Sequence, residues 1–110
     1  MFNQKVKPVF RTYQEAGKFY NRDFRTIKKF DAAIQCYEGA IYLNPSFAEP
    51  YCNKAISLHE LNRFLGAIEV FNLALQIKPD YAEAYYNRGS SLEKLKQLES
   101  ALESYEKAYD

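Results

Sequence analysis

His59 is the one histidine among the 110 residues, and Cys52 stands seven positions before it. On a single helix seven residues make nearly two turns, so both side chains face one way but lie about 10 Å apart along the axis. That is too far for the two to share a metal ion directly. A solvent-facing imidazole and a small half-buried thiol are the expectation. Cys36 falls on a different helix from Cys52, and the pair has neither redox nor zinc-ligand spacing. There is no glycine-rich phosphate loop, nucleophile elbow or cluster with metal-ligand spacing. The acidic residues lie among lysines and arginines, as on solvated helix faces. No enzymatic activity, metal or cofactor is expected. Binding is the chemistry these polar residues suit. Asn53 and Asn87 lie 34 residues apart, at the same place in two successive units of the chain. An asparagine amide both donates and accepts, so two at a fixed interval could hold the backbone of an extended peptide whatever its side chains.

The units that position them are plain in the apolar residues. Phe64, Ala67, Phe71 and Ala74 recur 34 positions later as Leu98, Ala101, Tyr105 and Ala108. With Pro79 they also recur 34 positions earlier, as Phe30, Ala33, Tyr37, Ala40 and Pro45. A fixed period of this length is the mark of a solenoid. Each unit reads as two helices. In the middle unit Tyr51, Ala55, Leu58 and Leu61 form one stripe at steps of three and four, and Phe64, Ala67, Ile68, Phe71, Leu75 and Ile77 form the next. Asn62-Arg63 is the polar turn between them. Ser46-x-x-Glu49 and Asp80-x-x-Glu83 read as capping boxes, and Pro45 and Pro79 stop the helices before them. Helices are expected over 30–43, 47–61, 64–77, 81–95 and 98–109. Another is expected from residue 9 or 13 to 26, with Lys28-Lys29 at the turn that follows. Small residues recur where helices should cross closely, Gly17, Ala55 and Gly89 on the first helices and Ala33, Ala67 and Ala101 on the second.

The run Tyr85-x-x-Arg88-Gly89-x-x-Leu92, followed by Ala101, Tyr105 and Ala108, resembles the tetratricopeptide repeat, W-x-x-L-G-x-x-Y and then A, F, A and P. The likeness covers residues 13–110. In the first unit it needs a shift of four residues, which brings Tyr13-x-x-Ala16-Gly17-x-x-Tyr20 into register. The resemblance implies an all-α fold, a right-handed superhelical solenoid of three helix-turn-helix repeats. Residues 1–8 would be an N-terminal tail. Residues 9–45 would be the first repeat, its first helix extended by about a turn. Residues 46–79 and 80–110 would be the second and third, with no C-terminal capping helix.

The resemblance also implies a non-catalytic scaffold that binds a peptide segment of another protein in its concave groove. On that face it places Lys18, Asn53, His59, Glu83, Tyr86, Asn87 and Lys94. One branch of the family grips the acidic C-termini of heat-shock chaperones in a two-carboxylate clamp. Lys18 and Asn53 match that clamp in part, but the fifth helix offers Glu83 where the clamp wants a base. Like charge disfavours an acidic ligand.

Composition sets the remaining bounds. One hundred and ten residues make one domain. The formal net charge is +1 and the charges are mixed along the chain, so there is no footprint for nucleic acid or an anionic membrane. An aromatic content of 16% argues against disorder. No apolar run is long enough for a transmembrane helix, and the stretch from Met1 to Phe10 lacks the apolar core of a secretory signal. A reducing, cytoplasmic setting is the default expectation. Two alternatives stand beside the scaffold. With nothing after Asp110 to cover them, Leu102, Tyr105 and Tyr109 would be partly bare and would favour a homo-oligomer. The chain could also be the substrate-recruiting part of a larger enzyme.

Overall fold

The structure, a computed structural model, describes residues 24–110. Five helices follow one another: α1 Phe24–Leu43, α2 Ala48–Glu60, α3 Phe64–Ile77, α4 Ala82–Lys94 and α5 Leu98–Ala108. The described residues contain no strand. Short turns fold each helix back on its predecessor, giving an all-α helical repeat solenoid. Neighbouring helices pack in sequence, and α2 also touches α4. The expected tail over residues 1–8, the expected first helix up to residue 23 and Lys18 lie outside the described residues.

The turns inside the two later units are built alike. After α2, Asn62 takes a left-handed backbone with φ 62°; after α4, Lys96 does so with φ 65°. In the first, the Asn62 N–H bonds the His59 carbonyl and the Arg63 N–H bonds the Leu58 carbonyl, both at 2.9 Å. In the second, Lys96 bonds Glu93 and Gln97 bonds Leu92 in the same pattern. These are Schellman closures, which satisfy the last carbonyls of a helix and reverse the chain.

Two expectations fail here. The turn expected at Lys28-Lys29 is absent, and α1 runs unbroken through it for 20 residues. Ile27 and Ile34 are buried and Phe30 half-buried, so one apolar stripe continues across the expected break. The capping boxes do not form either. Helices α2 and α4 begin one residue later than expected, with Phe47 and Tyr81 in extended backbone at the cap and no side-chain cap bond. Ser46 instead sits in the turn, its N–H bonded to Asn44 Oδ1 at 3.3 Å. Glu49 and Glu83 still lie in the first turns, where a carboxylate suits the helix dipole.

The core sits between the helix layers. Phe71 is fully buried, and Ala55, Ala67, Ala74 and Ala84 expose nothing. Alanine at these crossings lets the helices approach closely enough to close around the Phe71 ring. At Gly89 the approach is closer still. A Cβ there would stand 2.8 Å from Cε1 of Tyr105, so only glycine leaves room for that ring.

Polar straps tie successive units. Lys54 of α2 pairs with Glu38 of α1 at 3.1 Å. One 34-residue step on, Arg88 Nη1 donates to Asn72 Oδ1 at 2.7 Å. Arg88 Nε also donates to Ser104 Oγ at 3.1 Å, and the Ser104 hydroxyl donates to the Tyr85 carbonyl at 2.8 Å. Ser104 is fully buried and satisfied by these two bonds.

Candidate functional site

The polar face that carries Asn53 and Asn87 belongs to α2 and α4, the first helices of their pairs. Asn53 of α2 is half-buried, and its side chain has no hydrogen-bond partner among the described residues. Asn87 of α4 is half-buried too, and its Nδ2 donates to the Glu83 carbonyl at 2.9 Å one turn back. That bond fixes the amide and leaves Oδ1 to accept. Tyr86 is half exposed, its ring 5.4 Å from that of Tyr105. Glu83 and Lys94 are exposed at opposite ends of α4.

His59 is placed differently from expectation. It is half-buried rather than open to solvent. Its Nδ1 lies 2.7 Å from Ser91 Oγ on α4, and its ring meets the Phe64 ring edge-on at 5.1 Å. Ser91 is fully buried, so His59 joins α2 to α4 where the two helices touch. Cys52 is likewise no half-exposed thiol. It is fully buried, with Tyr81 of the following unit beside it. Burial pushes its thiol up to about 11, helped by the charges of Glu83 and Glu49 and opposed by a hydrogen bond to Tyr81. The Tyr81 phenol is also raised, by burial first and then by Cys52. Glu49 and Glu83 stand in the first turns of α2 and α4, close in sequence to Cys52 and Tyr81.

Tyr105 is not bare. It is half-buried on Gly89, and its hydroxyl donates to Glu93 Oε1 at 2.8 Å. Burial, followed by that bond to Glu93, pushes the phenol up to about 12. Leu102 and Tyr109 are open, 59% and 81% exposed. Two residues that sequence reasoning passed over matter most to the geometry. Tyr81 closes over Cys52, and Arg88 straps three helices. The signal for Tyr81 was present, since it repeats Phe47 after 34 residues. The described residues hold no group of three or more His, Cys, Asp or Glu side chains placed to bind a metal ion, and none of their helices is long and apolar enough to cross a membrane.

Two family profiles match the chain, a TPR repeat over residues 57–96 and a tetratricopeptide repeat over residues 24–47. No curated protein matches it. Several solved structures share the fold. The first TPR of Spaghetti (RPAP3), bound to the HSP90 peptide SRMEEVD, is 27% identical with a TM-score of 0.72, over 94% of this chain and 81% of that one. The TPR2B domain of yeast Sti1, in complex with pHsp70, is 28% identical with a TM-score of 0.71, over 87% and 76%. The crystal structure of MamA is 24% identical with a TM-score of 0.70. There the likeness is one of fold alone, and this chain spans 57% of that one.

Proposed function

The chain belongs to the tetratricopeptide repeat family, and from that premise we propose that it is a non-catalytic scaffold holding a peptide segment of a partner protein along α2 and α4. The family and its fold serve in general as protein-interaction modules without catalysis. The observation that carries the proposal is the pair Asn53 and Asn87, half-buried at matching places on successive first helices. Asn53 makes no bond among the described residues, and Asn87 keeps an acceptor to spare. Peptides bound by the similar structures from Spaghetti and Sti1 support the same use of the fold. A reducing cytoplasmic setting suits the two free thiols, Cys36 and Cys52.

The test is a peptide selected by display against the chain and titrated by calorimetry. Asn53→Ala and Asn87→Ala should each weaken it by about tenfold, roughly 1.4 kcal/mol, with little change in Tm. Unchanged affinity in both variants would refute the groove. A second reading rests on the exposure of Leu102 and Tyr109 on and just after α5, a surface suited to self-association. Sedimentation equilibrium separates the two: a 12.9 kDa monomer at all concentrations excludes it.

A further inference from the structure

We propose that the segment held between α2 and α4 is cationic, and that an acidic tail such as SRMEEVD is refused. The proposal rests on the reading of this face as the peptide groove and adds the charge of its occupant. Glu49 and Glu83 open the two helices at matching places, both exposed, Glu49 one turn before the buried Cys52 and Glu83 two residues after Tyr81, which is half-buried against the core that holds Cys52. They therefore flank one strip rather than lying on separate surfaces.

The basic side chains of the same helices are spent elsewhere. Lys54 is paired with Glu38 on α1, and Arg88 is held by Asn72 and Ser104 while lying 5.2 Å from the Tyr85 ring centroid. Both serve the seams between units and leave the strip itself to the carboxylates. Among the described residues two ammonium groups remain near it. Lys78 sits 4.6 Å over the Tyr81 ring, and Lys94 is exposed in the last turn of α4. Lys78 offsets one of the two carboxylates at the Tyr81 end, so the balance there stays negative. Tyr86, half exposed on α4, adds an aromatic face that attracts a cation.

The peptide bound by the similar Spaghetti domain ends in Glu-Glu-Val-Asp. Laid along this strip it would set carboxylates against carboxylates, and like charge selects against a partner. A lysine- or arginine-bearing segment meets the opposite field. Its backbone would still be held by Asn53 and Asn87.

Fluorescence polarisation with two labelled probes decides it: SRMEEVD, and the charge-reversed SRMKKVK with an amidated end. At low salt the cationic probe should bind about tenfold or more tightly than SRMEEVD. The gap should shrink as salt rises, because exposed charges are screened. Glu49→Gln with Glu83→Gln should weaken the cationic probe by about fivefold or more. Equal or tighter binding of SRMEEVD, no effect of the Gln pair, or no binding of the cationic probe overturns the charge assignment. Cationic binding that is untouched by Asn53→Ala and Asn87→Ala overturns the groove itself.

Discussion

Arg88 of α4 holds Asn72 of α3 at 2.7 Å, at the place where, one unit earlier, Lys54 of α2 holds Glu38 of α1 at 3.1 Å. A long basic side chain thus stands where the family pattern carries leucine. Its stem covers apolar surface while its head fastens the preceding helix. The two straps differ in depth. The Lys54–Glu38 pair is partly exposed, so water and salt weaken it. Arg88 reaches the buried Ser104 as well.

Arg88→Ala should therefore cost about 1–2 kcal/mol in urea denaturation, from two lost side-chain bonds and a disturbed Ser104. Glu38→Ala should cost no more than about 0.5 kcal/mol. Equal losses would mean that the deeper contact to Ser104 contributes nothing.

Two glycines should respond to alanine with opposite signs. A Cβ at Gly39 meets nothing within 4 Å, so Gly39→Ala in the exposed middle of α1 should stabilise by about 0.5–1 kcal/mol. Gly89→Ala drives a methyl into the Tyr105 ring and should destabilise by about 1–3 kcal/mol. Thermal melts of the two variants check the signs directly.

Phe71→Ala should cost about 3–5 kcal/mol, since the ring is fully buried at the centre of the stack. Tyr105→Ala should approach that figure, because the ring fills the space that Gly89 leaves open. Tyr105→Phe keeps the ring, gives up only the bond to Glu93, and should cost about 0.5–1.5 kcal/mol. A small loss for Tyr105→Ala in denaturant melts would show that the ring is not part of the core.

Alkali should unfold the domain in steps. The Cys52 thiol is raised from 9.0 to about 11 and the Tyr105 phenol from 10.0 to about 12. In both cases the folded state holds its proton longer than the unfolded chain does. Their contribution to stability is fully present below about pH 9 and is lost as pH rises through 11 and 12. Melting points taken from pH 8 to 12 should fall across that window, and Cys52→Ala should flatten its first part. At pH 8, Cys36 is exposed and should label readily with a thiol reagent, while buried Cys52 should not until the chain unfolds.

The apolar period was readable because burial repeats whatever the details. Phe64 and Leu98 start α3 and α5 where the stripes place them, and Phe71, Ala67 and Ala101 are buried. What failed depended on contacts from elsewhere in the chain. Cys52 looks half-buried on its own helix, and Tyr81, 29 residues on, closes over it. Tyr105 reads as partly bare on the last helix, and what the letters do not show is the seat that the missing Cβ of Gly89 gives its ring. Lys28-Lys29 resembles a polar turn, yet Ile27 and Ile34 keep the helix intact. Asn53 and Asn87 were legible as a pair, but the bond from Asn87 to the Glu83 carbonyl, which sets its free acceptor, belongs to one rotamer and leaves no trace in the letters.

The packing of each described helix on its chain neighbours, with only α2 reaching past one to α4, also governs how the chain finds this shape. Contacts so close in sequence require only short loops to close, and chains of that kind fold quickly, in microseconds to milliseconds. The deepest burial lies around Phe71, between α2, α3 and α4. Folding would start there and spread outward one helix at a time, as in a chain of nearest-neighbour steps. Amide hydrogen exchange would then report a gradient, slowest at α3 and faster along α5, where Leu98 and Leu102 are exposed.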